Sequence, residues 1–210
     1  MIELDEVEVS FEGRRVLGPL SGCFGQSNLA IVGPSRSGKT TLMRTMVGLL
    51  RPSSGRVLVD GEDLARLDPD GLRRVRLRFG LVFQSDALFD SMDVLDNAMF
   101  PLCRRGIPPA EAKERAMQAL ASVGLSAQAH TLPERLSGGM KKRLGLARAI
   151  VARPHYLLAD DPLAGLDPGT ARRMLDLLFG LWSGEKGGLI IAAADGEPLQ
   201  NRCPEILHLK

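Results

Sequence analysis

The sequence contains three cysteines in 210 residues, Cys23, Cys103 and Cys203, and they form neither a CxxC pair nor an even disulfide framework. A disulfide scaffold is excluded, and all three read as reduced, structural side chains. No apolar run approaches the roughly 20 residues needed to span a bilayer. The start MIELDEVEVSFEG lacks a basic segment followed by an apolar one. Membrane-spanning and leader-directed classes drop out, and a cytoplasmic protein is expected. An excess of one charge is also missing: 25% of the residues are charged, yet the formal net charge is only +2. No global field marks a nucleic-acid binder, and no nucleic acid is expected as a partner. Solenoid-length repeats, low-complexity tracts and Pro/Gly/Ser-rich linkers are absent as well. One domain, 1–210, with a large core remains.

What is present alternates between strand and helix. Ile2-Glu3-Leu4 and Val7-Glu8-Val9 have the two-residue period of a half-buried strand. Gly18 to Gln26 is rich in turn formers and reads as a connection. The apolar run Leu29-Ala30-Ile31-Val32 leads into GPSRSGKTT, and Leu42, Met43, Met46, Val47 and Leu50 follow at helical spacing. Arg56 to Val59 is a second apolar run, ending in Asp60-Gly61, a tight-turn dipeptide. Phe79 to Phe83 is the next clear strand. Val94 to Val123 turns helical, with Ala112, Ala116, Leu120 and Val123 on one face and Pro101, Pro108 and Pro109 as punctuation. A helix opens at LSGGM, strands follow at Tyr156–Ala159 and Leu189–Ala192, and a helix over Thr170–Trp182 lies between them. This alternation predicts an α/β fold with a largely parallel sheet.

Three motifs carry chemistry. Gly33-Pro34-Ser35-Arg36-Ser37-Gly38-Lys39-Thr40 fits GxxxxGK[ST] between a predicted strand and helix. Main-chain amides at a helix N-terminus would cradle the phosphates of a nucleotide, with Thr41 continuing the turn. Lys39 would reach the β/γ-phosphates and Thr40 would ligate Mg²⁺. Arg36 stands where many such loops carry Gly. The buried strand ending in Asp160-Asp161-Pro162 is a Walker B arrangement, Asp160 holding Mg²⁺ and Asp161 orienting or deprotonating the attacking water. Ser137-Gly138-Gly139 offers a hydroxyl and unobstructed amides to an anion. The basic clusters Arg73-Arg74-Val75-Arg76 and Lys141-Lys142-Arg143 read as solvated faces. His130 and His155 lack metal-spaced partners and receive no role.

In this order, the motifs resemble an ABC transporter ATP-binding domain over nearly the full chain. The resemblance implies ATP and Mg²⁺ as cofactors, and an ATPase core of 1–86 and 136–210 with a helical subdomain of 87–135. It makes Gln84 the Q-loop glutamine, a catalytic residue contacting Mg²⁺ and the lytic water. Ala164-Gly165-Leu166-Asp167 becomes the dimer-crossing D-loop, and Phe11 the aromatic stacked on adenine. It implies a homodimer, or a heterodimer with another ABC ATPase, in which Ser137, Gly138 and Gly139 close on the partner's nucleotide. An integral membrane permease would dock on Ala87 to Leu102, placing the chain on the inner face of the inner membrane. Met140 and the segment QSDALFDSMDVLDNAMFPL are similar to the phospholipid-trafficking Mla and Mce-associated ATPases, so a lipid substrate is expected. From the residues after Glu205–Leu209, no regulatory C-terminal domain is expected.

Two positions depart from that family's pattern. Asp161 stands where Glu is usual, withdrawing the carboxylate by ~1.5 Å, one C–C bond. Ala194 occupies the place of the switch histidine. The resemblance therefore implies ATP binding with slow hydrolysis. The alternative is a nucleotide sensor that binds ATP without turnover.

Overall fold

The computed structural model describes residues 1–85, 87–182 and 187–210. Asp86, the last residue of the first expected core stretch, lies outside the described residues. In chain order the elements are β1 (Ile2–Phe11), β2 (Arg14–Phe24), β3 (Leu29–Val32), α1 (Lys39–Met46), β4 (Ser54–Val59), β5 (Glu62–Asp63), α2 (Pro69–Arg76), β6 (Phe79–Val82), α3 (Val94–Cys103), α4 (Pro109–Ser122), α5 (Gly138–Ile150), β7 (Tyr156–Asp160), α6 (Pro168–Leu181), β8 (Leu189–Ala193) and β9 (Glu205–His208). The fold class is α/β. Two compact units form, 1–79 with 184–210, and 80–183.

In the first unit an antiparallel sheet runs β2-β1-β4-β5. Ile2, Leu4, Val7 and Val9 turn inward along β1, the face that their spacing predicts. Asp60-Gly61 joins β4 to β5, with both residues at positive φ. β2 corrects the sequence reading: Gly18 to Phe24 is not a connection but the continuation of an eleven-residue strand paired with β1. Pairing along β1, with register shifts, outweighs the poor strand propensity of Gly18, Pro19 and Gly22, and proline is tolerated because β2 is an edge strand.

The same unit holds a parallel set in which β3 pairs with β8 on one side and β9 on the other. Every residue of β3 and β8 is buried, which is why both read as unbroken apolar runs rather than alternations. Strand β9 was not legible as a strand, because it is half-exposed and carries Glu205 and His208. Cys203, just before it, is buried, and that burial pushes its thiol up to about 11. Cys23 and Cys103 are exposed, so a structural role holds for Cys203 alone.

In the second unit Ala112, Ala116 and Leu120 are fully buried on α4, as their spacing predicts. Pro101 lies inside α3 without ending it. Pro109 sits in the first turn of α4, where its missing N–H costs nothing. β6 and β7 are neighbouring strands, and Tyr156–Ala159 of β7 are buried. Among the described residues, no helix is long and apolar enough to cross a membrane.

Candidate nucleotide site

The loop after β3 is built by close approaches of backbone. The Gly33 amide donates to the Ala193 carbonyl at 3.3 Å. A Cβ on Gly33 would lie 2.5 Å from the Leu209 carbonyl oxygen and 2.6 Å from Ser37 Oγ. Gly38 has φ 93°, and a Cβ there would meet the Val16 carbonyl oxygen at 2.8 Å. Strand β2 and Leu209, the residue after β9, thus press on the loop where the sequence places glycine. Pro34, Ser35 and Arg36 are exposed. Arg36 adopts φ 69°, the left-handed conformation that glycine would supply without strain.

The inside of the loop is polar and cationic. Lys39 is only 9% exposed, and its ammonium donates to the carbonyls of Gly33 at 2.7 Å and Pro34 at 2.8 Å. Among the described residues Ser37 Oγ is buried without a hydrogen-bond partner, a state that costs about 1–3 kcal/mol. Helix α1 starts at Lys39 with no side-chain cap and no carboxylate in its first turn. Thr40 and Thr41 stand half-buried there. An uncompensated helix N-terminus, a folded-in ammonium and an orphaned hydroxyl together fit a polyphosphate anion. The residues present therefore suit ATP with Mg²⁺.

Phe11 ends β1 opposite Arg14 and is 47% exposed. Its hairpin continues into Val16 and Leu17, which lie against Gly38. Ala194 follows β8 directly and is exposed. The register Val32↔Ala193 sets it beside the start of the loop.

The second unit carries the remaining motifs. Asp160, half-buried, ends β7, and Asp161 follows with φ 46°. Ser137 caps α5, its hydroxyl accepting from the Met140 amide at 3.3 Å. Ser137, Gly138 and Gly139 line a cavity of about 580 Å³ together with Gly165 and Asp167. Asp167 in turn caps α6, and its bonds from Thr170 hold its carboxyl below the usual range. The residues expected as signature and D-loop thus share one cavity.

Gln84 is exposed just beyond β6. Its carbonyl accepts from the Lys142 ammonium at 2.9 Å. This overturns the reading of Lys141-Lys142-Arg143 as a solvated face. Lys142 is buried, and Arg143 donates to the Val123 carbonyl at 2.7 Å. The signal was available in the spacing of Lys142, Leu146 and Ala149 on one buried helix face. Asn97 was also missed. Its buried carboxamide accepts from the Phe89 amide at 2.9 Å and donates to the Phe89, Met92 and Asp93 carbonyls, each at 3.0 Å. It fixes the segment Ala87 to Leu102, where the Phe89 and Phe100 rings lie 4.5 Å apart.

A family model described as ABC transporter matches residues 22–164. A methionine import ATP-binding protein, MetN of Caulobacter vibrioides, is 46% identical over 151 residues, covering 72% of this chain and 46% of the relative. The chain spans about half the length of the curated relatives it matches. Among solved structures, MJ0796, a bacterial ABC transporter cassette in dimeric form, superposes with a TM-score of 0.91 at 29% identity, covering 100% of this chain and 94% of that one. Its dimeric post-hydrolysis state with ADP and Pi gives 0.90 at 28% identity, with the same coverage. The relative is named for methionine import, and this corrects the phospholipid subgroup suggested by Met140 and the segment after Gln84. The loop geometry, the signature cavity and these similarities converge, and the chain belongs to the ABC transporter family as one of its ATP-binding domains.

Proposed function

We propose that the chain is the ATPase subunit of an importer for a small solute of the methionine class, acting as a dimer bound to a membrane permease on the inner face of the membrane. The observation that carries the ATP-binding part is the loop Gly33–Thr41, where Lys39 is bonded to its own loop carbonyls and Ser37 Oγ has no partner among the described residues. The importer class is supported by the 46% identity to a methionine import protein.

The roles divide as follows. Gly33 to Gly38 offer main-chain amides to the phosphates, Lys39 exchanges carbonyl partners for phosphate oxygens, and Phe11 stacks on the base. By resemblance to the family, Thr40, Asp160 and Gln84 would be the residues that hold Mg²⁺, which would supply neutralisation of charge on the transferred phosphoryl group. Asp161 orients the attacking water. Ser137, Gly138 and Gly139 serve the nucleotide of the facing protomer, which is an identical chain or a second ABC ATPase. Ala87 to Leu102, braced by Asn97, receives the permease. Reconstitution of the native complex in proteoliposomes tests the proposal: ATP-dependent methionine uptake is expected, and ATP-dependent phospholipid transfer without uptake would overturn the importer assignment.

Asp161 and Ala194 favour a second reading, a nucleotide sensor that holds ATP uncleaved. Single-turnover assay of the complete complex separates the two, since the sensor leaves ATP intact.

A further inference from the structure

The mechanism above leaves Lys142 unused, although a buried ammonium is costly unless bonded. At 6% exposure, it donates to the backbone carbonyl of Gln84 at 2.9 Å. Farther along the same helix, Arg148 donates to the Ala87 carbonyl at 2.7 Å, with its guanidinium 5.9 Å from the centre of the Phe89 ring. Helix α5 therefore grips the segment after β6 at two points. The same helix opens with Ser137, Gly138 and Gly139, which line the signature cavity.

We propose that Lys142 is a positioning residue. It clamps the Gln84 main chain to α5, so that engagement of Ser137–Gly139 by a facing nucleotide sets the direction in which the Gln84 carboxamide points. Fixing the Gln84 carbonyl fixes the peptide plane that follows its Cα, and a helix is stiff enough to carry a displacement from its first turn to Lys142. This inference rests on the proposed role of Gln84 in hydrolysis. Nothing in it involves the loop Gly33–Thr41, so ATP binding and Gln84 placement are separately measurable.

The test is a double-mutant cycle in the full chain, following steady-state hydrolysis, ATP affinity and Mg²⁺ dependence. Lys142→Met should lower kcat about 10-fold or more, as loss of placement by ~1 Å does. It should leave the Kd for ATP within about 2-fold and raise the Mg²⁺ concentration at half-maximal rate, because Gln84 is a proposed Mg²⁺ contact. In a Gln84→Ala background the same substitution should cost no further rate. Lys142→Arg, which keeps the donor, should recover most of the activity and supplies the comparison if Lys142→Met unfolds. Independent, multiplicative losses in the cycle, or an arginine variant as slow as the methionine one, would overturn the inference. A wild-type chain that fails to bind ATP would instead overturn the proposed function.

Discussion

The loop after β3 and the corner after β7 are built alike, and they differ in what each demands of its side chains. Both follow a buried strand, and both place a non-glycine residue at positive φ, Arg36 at 69° and Asp161 at 46°. In the proposed function the phosphate loop works largely through main-chain amides, with glycines fixed by neighbouring backbone, as at Gly33 and Gly38. Such a site would tolerate an exposed arginine because the loop conformation, not the side chain, would do the binding. The corner, on the same proposal, works through one carboxylate whose reach matters. Shortening it by a methylene leaves the charge and moves its position. On this proposal binding is written in the backbone and hydrolysis in a few side chains, so a chain can lose rate while keeping affinity.

The comparison breaks if restoring those side chains does nothing. Asp161→Glu combined with Ala194→His should raise kcat by up to about 100-fold, the scale of a ~1 Å displacement of a catalytic group. ATP affinity should stay unchanged. Ala194 is exposed at the end of β8, and Gly33 bonds to the preceding carbonyl, so an imidazole fits there without disturbing the core. Glu at 161 carries a small penalty, since Asp accepts positive φ more readily. A few tenths of a kcal/mol of stability is the expected cost. Stopped assays at saturating ATP, with Kd measured in parallel, check both halves; equal rates for the wild-type and doubly substituted chains would break the contrast.

Lys39→Met sharpens it from the other side. The ammonium makes two bonds inside the loop, and the substitution removes a charged donor worth about 1.5–3 kcal/mol against phosphate. Calorimetry should show affinity for Mg-ATP reduced by about 10- to 100-fold. An unchanged Kd would mean that the backbone alone suffices.

Ser37→Ala separates the empty loop from the filled one. The hydroxyl is buried without a partner among the described residues, so its removal should stabilise the nucleotide-free chain by up to about 1 kcal/mol, part of the cost of an unmade bond. Affinity for ATP should fall by about 5-fold, the equivalent of one modest hydrogen bond. The gain seen in thermal melts without Mg-ATP should disappear in its presence, because a 5-fold loss of affinity is worth about 1 kcal/mol. A loss of stability in both would assign Ser37 a purely structural role.

These sites were legible in the sequence to different degrees, for physical reasons. The glycine loop and β7 could be read because a buried parallel strand must be apolar throughout, and because glycines at fixed spacing reflect backbone contacts that no other residue permits. Strands β2 and β9 could not. Each takes its conformation from a paired neighbour, against a local content of Gly18, Pro19 and Gly22 in one case and Glu205 and His208 in the other. Lys142 was misread for a related reason: a lysine inside a basic run looks solvated until the helix phase puts it beside Leu146. Asn97 hides likewise, since a lone amide in VLDNAMF gives no sign of the four bonds it makes to loop backbone.

The smallest expected effect concerns Arg36. A non-glycine residue in the left-handed region costs about 1 kcal/mol or somewhat more, and glycine at the same position removes that strain while adding entropy to the unfolded chain. The two contributions oppose each other, and the first is the larger where the side chain makes no compensating contact. Arg36 is exposed. Arg36→Gly should therefore stabilise the chain by about 0.5 kcal/mol, within the range seen for relief of unfavourable φ, with ATP affinity moving by less than about 2-fold. Because the backbone is proposed to do the binding here, the size of the affinity change is the sharper measure: a fall well beyond 2-fold on losing Arg36 would show that this guanidinium contacts nucleotide, and that the loop is less a main-chain device than its glycines imply.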